Sequence, residues 1–82
     1  MAFVYILLSE ETQKTYVGST TDLDRRIKEH NNGENLSTKR HIPWKVFYKE
    51  EYENLAEARV REKYLKSCTG RKFIKNLFKS KF

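Results

Sequence analysis

The sequence has few of the residues that cross-link, break or anchor a chain: one cysteine, one proline and three glycines. Because a lone thiol has no partner, Cys68 excludes an internal disulfide. The apolar opening, residues 2–8 (AFVYILL), is too short for a signal-peptide core or a membrane span. No internal repeat, low-complexity tract or linker stands out. These absences predict a cytoplasmic protein with no membrane partner, in which Cys68 is incidental rather than catalytic.

Size and charge narrow the class of protein further. The chain has 82 residues, 38% of them hydrophobic and 13% aromatic. A chain of this length forms about one small domain with a modest core, so residues 1–82 are expected to form a single domain. The formal net charge is +6, and the basic residues crowd the last third of the sequence. This excess favours a polyanionic partner, nucleic acid before a membrane surface; the oligomeric state is not indicated.

Two segments near the N-terminus predict a β-hairpin. Residues 2–8 and 14–19 are rich in β-branched and aromatic side chains, and a polar stretch separates them. A turn centred on the two consecutive glutamates of that stretch would place Tyr5 opposite Tyr16. The predicted hairpin therefore presents two tyrosines side by side on one face of a sheet.

A first helix is predicted over residues 21–31, with Thr21 as its N-cap and Gly33 as its stop. Residues three and four apart share one side of a helix. On that basis the inward side carries Leu23, Arg26, Ile27 and His30. A polar loop over residues 34–43 then leads to a third strand at about residues 44–52.

The C-terminal part predicts two further helices. Asn54 can cap the first of them, which runs to about residue 68, before Gly70. Its inward stripe contains Leu55, Ala58, Glu62 and Leu65, while Val60 and Tyr64 lie opposite and are expected to contact the last helix. That last helix covers about residues 71–78, with an apolar face of Phe73, Ile74, Leu77 and Phe78. The chain as a whole predicts an α/β (α+β) fold, a three-stranded, mainly antiparallel sheet flanked by helices in the order β-β-α-β-α-(α).

Three ionisable residues, Arg26, His30 and Glu62, occupy inward positions that usually carry apolar side chains. Burying an unpaired charge costs several kcal/mol, so these residues either pair with one another or line an open site. One interpretation is a structural salt bridge between Arg26 and Glu62. The other adds Tyr5 and Tyr16, because phenols, a guanidinium, an imidazole and a carboxylate on one sheet face are suited to phosphoryl transfer.

Four strings are spread along most of the chain: VYI at residues 4–6, YVG at 16–18, TDLDRRIKEH at 21–30 and AEARVREKYLK at 56–66. Together they resemble the GIY-YIG nuclease superfamily, in its small stand-alone single-domain branch. The spacing of Tyr16, Arg26 and His30, followed by a late Glu-Lys pair on a helix, is more specific than either tripeptide. The first tripeptide departs from the family motif, since Phe3 stands where the motif has a glycine.

The resemblance implies a divalent-metal-dependent endonuclease, a hydrolase of phosphodiester bonds in nucleic acid. Its implied catalytic residues are Tyr5, Tyr16, Arg26, His30 and Glu62. Glu62 would be the ligand of Mg²⁺ or Mn²⁺, Arg26 would stabilise charge on the phosphate, and either tyrosine could be the general base. DNA is the expected substrate before RNA, with little sequence specificity. Nucleic-acid contacts are expected from Gly18, Lys66, Arg71, Lys72, Lys75 and Asn76.

Two other functions remain open at this point. A non-catalytic nucleic-acid-binding module could keep the same fold and basic surface, and a protein-interaction adaptor would need no nucleic acid at all. The complete set of five candidate catalytic residues argues against both. A binding module has no need of an unpaired, inward-facing glutamate.

Overall fold

A computed structural model of the protein describes residues 1–81. Its elements are β1 (Ala2–Ser9), β2 (Thr15–Thr20), α1 (Leu23–Asn31), a 3-10 turn (Lys39–His41), β3 (Trp44–Tyr52), α2 (Leu55–Leu65) and α3 (Cys68–Lys81). The three strands form one antiparallel sheet in the order β2-β1-β3. The predicted α+β class and element order are confirmed.

Both faces of the central strand β1 are covered, which explains why its sequence is almost continuously apolar. On one face, β1 contributes to a core with α2 and α3, whose buried members include Val4, Ile6, Leu8, Val17, Ala58, Leu65 and Ile74. On the other face, a second core contains Tyr5, Leu7, Leu23 and Trp44. The helix α1 therefore packs on the face that carries Tyr5.

The hairpin register differs from the prediction by two residues. Tyr5 pairs with Gly18 rather than with Tyr16. The turn is longer than expected because Ser9 Oγ accepts two backbone hydrogen bonds from within it, and Gln13 adopts a left-handed φ of 64°. A shift of two residues leaves every side chain on its original face. The two tyrosines therefore still share one face, with ring centroids 6.5 Å apart.

The start of α1 was also predicted one residue too early. Asp22, not Thr21, is the N-cap, since its carboxylate accepts a hydrogen bond from the backbone N–H of Arg25 at 3.1 Å. At the other end, the backbone N–H of Gly33 donates to the carbonyl of His30 at 3.2 Å, and Gly33 has a φ of 76°. The predicted stop at Gly33 is confirmed.

The boundary between the last two helices was wrong. The helix α2 ends at Leu65, and Gly70 lies buried in the first turn of α3 instead of after a longer α2. A Cβ at Gly70 would overlap the backbone at the end of α2, so glycine permits this tight connection. Val60 is 73% exposed, so it is not buried against the last helix as expected. Within residues 1–81, no helix is long and apolar enough to cross a membrane.

The loop between α1 and β3 is tied to both elements. The indole Nε1–H of Trp44 donates to the carbonyl of Thr38 at 2.9 Å. The side chain of Asn31 bonds the backbone N–H and C=O of Trp44, at 2.7 and 3.1 Å. These bonds hold the loop beside the face of the sheet that carries Tyr5.

Candidate active site

The Tyr5 phenol crosses the edge strand β2 at Gly18. A Cβ at Gly18 would overlap the Tyr5 hydroxyl, so only a glycine leaves room for the phenol there. Tyr5 itself is 1% exposed. The structure therefore places Gly18, one of the predicted nucleic-acid contacts, directly against Tyr5.

His30 lies between the tyrosines and the loop that follows α1. It is fully buried, with Nε2 3.2 Å from the Tyr5 hydroxyl and Nδ1 2.8 Å from Thr38 Oγ1. The Tyr16 ring meets the imidazole edge-on, with centroids 4.9 Å apart. Burial lowers the pKa of His30, and the charge of Arg26 lowers it further. The imidazole is therefore neutral at pH 7 and can accept a proton.

Arg26 contacts Tyr5 but forms no ion pair with Glu62. Its guanidinium pairs with Glu29 one turn along α1, at 2.9 Å. The hydrogen bond that Arg26 donates to Glu29 and the interaction with Tyr5 both raise the pKa of Arg26. Burial raises the pKa of Tyr5, and Arg26 opposes this shift only in part. The interpretation of Arg26 and Glu62 as a structural salt bridge was wrong. Arg26 instead lies where it can stabilise negative charge beside Tyr5.

Glu62 reaches the same strand edge from the opposite face of the sheet. It belongs to α2, and its carboxylate accepts a hydrogen bond from the Ser19 hydroxyl and pairs with the Lys66 ammonium at 2.7 Å. The Lys66 ammonium also lies 5.9 Å from the centroid of the Tyr16 ring. The negative charge of Glu62 raises the pKa of Tyr5. The five candidates therefore lie around the edge of β2. The prediction that they share a single face of the sheet was wrong, because Glu62 lies on the other face.

The donor chemistry at Glu62 fits a hard divalent cation. The side chain is 21% exposed and already holds a cation, the Lys66 ammonium, with the Ser19 hydroxyl on its other oxygen. Among residues 1–81 there is no group of three or more His, Cys, Asp or Glu side chains arranged for a metal. One carboxylate suits Mg²⁺ or Mn²⁺, since Mg²⁺ keeps several of its water ligands, whereas structural zinc requires four protein ligands.

Two adjoining grooves run from Tyr16 along β2 and the C-terminal helices. Their volumes are about 380 and 340 Å³, and they share Thr15, Arg71 and Ile74. Lys66 lines the groove nearer Glu62, while Lys14 and Lys75 line the farther one. The basic side chains thus follow one path that begins at the candidate site.

The remaining predicted contacts lie elsewhere on α3. Lys72 and Asn76 are exposed but line neither groove. Helical spacing explains this, because residues 71, 74, 75 and 78 face β2 and residues 72 and 76 point away from it.

Sequence reasoning missed three residues that the structure brings to this region, Ser19, Thr38 and Lys14. Strand alternation from the buried Val17 could have placed Ser19 on the α2 side of β2. Lys14 could not be assigned to a groove from the sequence, because the groove exists only where α3 packs beside β2. Thr38 lies in an aperiodic loop, where no sequence pattern indicates its contact with His30.

Comparisons with known proteins show the family of the chain. The family model described as the GIY-YIG catalytic domain matches residues 1–76. The UPF0213 protein CPE1444 of Clostridium perfringens is 43% identical over 70 residues, covering 84% of this chain and 74% of that relative. UPF0213 proteins of Haloquadratum walsbyi and Staphylococcus aureus are 35% and 34% identical, covering 85% and 89% of this chain and 79% and 89% of their own lengths. No solved structure gives a significant match. The chain therefore belongs to the GIY-YIG catalytic-domain family.

Proposed function

We propose that this protein is a divalent-metal-dependent endonuclease that hydrolyses phosphodiester bonds in nucleic acid. The observation that carries the proposal is the environment of the Tyr5 hydroxyl. It bonds a neutral imidazole at 3.2 Å and contacts a guanidinium. The Glu62 carboxylate lies at the same strand edge. Membership of the GIY-YIG family supports the same chemistry.

Tyr5 is the proposed general base, with His30 as the final acceptor of the proton. As water attacks phosphorus, its proton passes to the Tyr5 oxygen, and the Tyr5 proton passes to Nε2 of His30. Only Tyr5 has its hydroxyl bonded to the imidazole, whereas Tyr16 meets His30 with its ring. A general base of this kind contributes about 10²–10⁴-fold in rate.

Arg26 would link substrate binding to proton transfer. Its side chain is 33% exposed and interacts with the buried Tyr5 hydroxyl. A phosphate would draw the guanidinium outward and admit water to the phenol. The guanidinium would then stabilise charge on the phosphate oxygens, an effect of about 10²–10³-fold in rate.

Glu62 would hold the divalent cation, Mg²⁺ or Mn²⁺, and when bound the ion supplies Lewis-acid polarisation of a phosphoryl oxygen. Ser19 orients one carboxylate oxygen of Glu62. Lys66 would leave the other oxygen and become available to a substrate phosphate, which its position in the groove allows.

The basic grooves support a nucleic-acid substrate, with DNA preferred on the family resemblance. Lys14, Lys66, Arg71 and Lys75 lie along one path over apolar side chains. Such residues contact phosphates, which fix register but carry no sequence information. Binding is therefore expected to weaken steeply with salt and to be nearly independent of base sequence.

A second candidate function is a nucleic-acid-binding module without catalysis. The observation that favours it is the 2.7 Å ion pair between Glu62 and Lys66. This pair neutralises the candidate metal ligand Glu62, so a cation has to displace an ammonium to bind. The two candidates predict the same affinity for nucleic acid and opposite results in a cleavage assay.

The test is cleavage of end-labelled single-stranded, duplex and branched DNA and RNA, with Mg²⁺, Mn²⁺ or EDTA. The endonuclease is expected to cut at least one substrate with metal and none with EDTA. Tyr5→Phe should lower the cutting rate by about 10²–10⁴-fold, and Tyr64→Phe is a matched control because Tyr64 is 41% exposed and its ring is stacked on Arg61 on α2. Salt-sensitive binding without cutting of any substrate would leave the binding module instead.

A further inference from the structure

We infer that Thr38 is a positioning residue that fixes the tautomer of His30, keeping Nε2 unprotonated toward Tyr5 and the proton on Nδ1. The catalytic importance of this tautomer rests on the proposed function. The assignment itself rests on a chain of hydrogen bonds through buried groups, from Tyr5 through His30 and Thr38 to the backbone.

The first part of the argument concerns the Tyr5 hydroxyl, which has two polar neighbours. Arg26 can only donate to the phenol oxygen, because a guanidinium has no acceptor. The hydroxyl hydrogen of Tyr5 therefore needs an acceptor, and Nε2 of His30 is the neighbour that can provide it. If Nε2 carried the proton instead, the hydroxyl hydrogen of a residue that is 1% exposed would have no partner.

The second part concerns the other ring nitrogen. A neutral imidazole with a bare Nε2 carries its hydrogen on Nδ1. Thr38 Oγ1 lies 2.8 Å from Nδ1 and can accept that hydrogen. The Thr38 hydroxyl can in turn donate to the carbonyl of Asn35 at 3.3 Å. In this direction every donor of the chain has an acceptor, and the chain ends on a carbonyl, which can only accept.

The fold fixes Thr38 independently of His30. Its carbonyl accepts the Trp44 indole N–H at 2.9 Å, and its backbone N–H donates to the carbonyl of Asn35 at 3.2 Å. Thr38 is fully buried, as is His30. The hydroxyl therefore has a set position against Nδ1, which is how Thr38 can determine which ring nitrogen of His30 carries the hydrogen.

The tautomer can be read directly by NMR at neutral pH. In ¹⁵N-labelled protein, long-range ¹H–¹⁵N correlations distinguish a protonated ring nitrogen from a bare one. The chain has two histidines, so the His41→Gln variant assigns the His30 signals by elimination. The expected result is a proton on Nδ1 and a bare Nε2. A wild-type spectrum with the proton on Nε2 overturns the inference, whether or not any variant folds.

Two substitutions then test whether Thr38 sets the tautomer. Thr38→Val keeps the shape but removes the acceptor of the Nδ1 hydrogen, so the fraction of His30 with its proton on Nε2 is expected to rise, and cleavage is expected to fall with it, by up to about 10²–10⁴-fold. Thr38→Ser keeps the hydroxyl, so it is expected to keep the wild-type tautomer and most of the activity. A Thr38→Val spectrum that still shows the proton on Nδ1 would contradict the proposed role.

The spectrum and the cleavage assay separate this inference from the proposed function. A protein that cuts no substrate but carries the proton on Nδ1 keeps the inference and loses the nuclease. A protein that cuts while Nε2 is protonated keeps the nuclease and loses the inference.

Discussion

Replacing Glu62 with Gln separates the catalytic interpretation from a structural one. Gln keeps the size of the side chain and can still accept a hydrogen bond from Ser19. It removes the negative charge that pairs with Lys66 and would hold the metal. Metal-dependent cleavage is therefore expected to disappear while the fold and the affinity for nucleic acid are kept.

The contacts of Glu62 set the size of the stability change. The carboxylate side chain is 21% exposed and its partner Lys66 is 51% exposed. Solvent screens such a pair, which is worth about 0–1 kcal/mol. Stranding a buried partner would cost about 3–5 kcal/mol. For a domain of this size 1 kcal/mol corresponds to about 4–8 °C in Tm, so the Tm of Glu62→Gln should fall by no more than that.

Three assays on one preparation distinguish a catalytic role of Glu62 from a structural one: thermal denaturation, nucleic-acid affinity and the single-turnover cleavage rate. Glu53→Gln is the matched control, because Glu53 is exposed and the charge change is the same. It should leave all three values near those of the wild type. Cleavage by Glu62→Gln at the wild-type rate would refute the assignment of Glu62 as the metal ligand, and a fall in Tm several times larger would show a structural role.

Gly18→Ala should force the Tyr5 phenol out of place. The variant is expected to lose about 1–3 kcal/mol of stability in thermal denaturation, as overpacked variants do, and to lose cleavage as well. An unchanged Tm and cleavage rate would contradict the close approach of Tyr5 to Gly18. Arg71→Gln should weaken binding and reduce the salt slope by about 1, whereas Lys72→Gln, outside both grooves, should change the affinity less; equal losses would contradict the groove as the binding path. Burial raises the pKa of Glu50, but hydrogen bonds from two tyrosines and an arginine outweigh it and hold the pKa below its ordinary 4.5. The stability that Glu50 contributes is present above pH 4.5 and lost as pH falls through the lower folded value. Urea denaturation from pH 6 to about pH 3 should therefore show a loss that is smaller in Glu50→Gln, and identical pH profiles would exclude this origin.

The sequence allowed the elements to be predicted because each is strongly patterned. The third strand, Trp44–Tyr52, was placed correctly, and the inward side of α1 carries His30 and Leu23 as its buried residues. Asn54 caps α2 as predicted, with its side chain accepting from the backbone N–H of Glu57 at 2.9 Å.

The errors arose where tertiary contacts override local signals. Gly70 looked like a stop because glycine often follows a helix, but it lies inside α3, where the tight packing against α2 excludes a Cβ. The hairpin register depended on side-chain bonds of Ser9 within the turn, which the alternation of the strands does not encode. Arg26 and Glu62 do not pair because α1 and α2 lie on opposite faces of the sheet, and each instead forms an ion pair within its own helix, Arg26 with Glu29 and Glu62 with Lys66.

The most direct test of the account is cleavage of labelled DNA by the wild-type protein with Mg²⁺ or Mn²⁺ in ¹⁸O-labelled water, followed by mass spectrometry of the new ends. Hydrolysis at the proposed site predicts one ¹⁸O atom in the phosphate of the phosphate-bearing end of each cut, an unlabelled hydroxyl at the other end, and no product with EDTA. Binding without cleavage of single-stranded, duplex or branched DNA, with either Mg²⁺ or Mn²⁺, would contradict the account and favour a non-catalytic binding module.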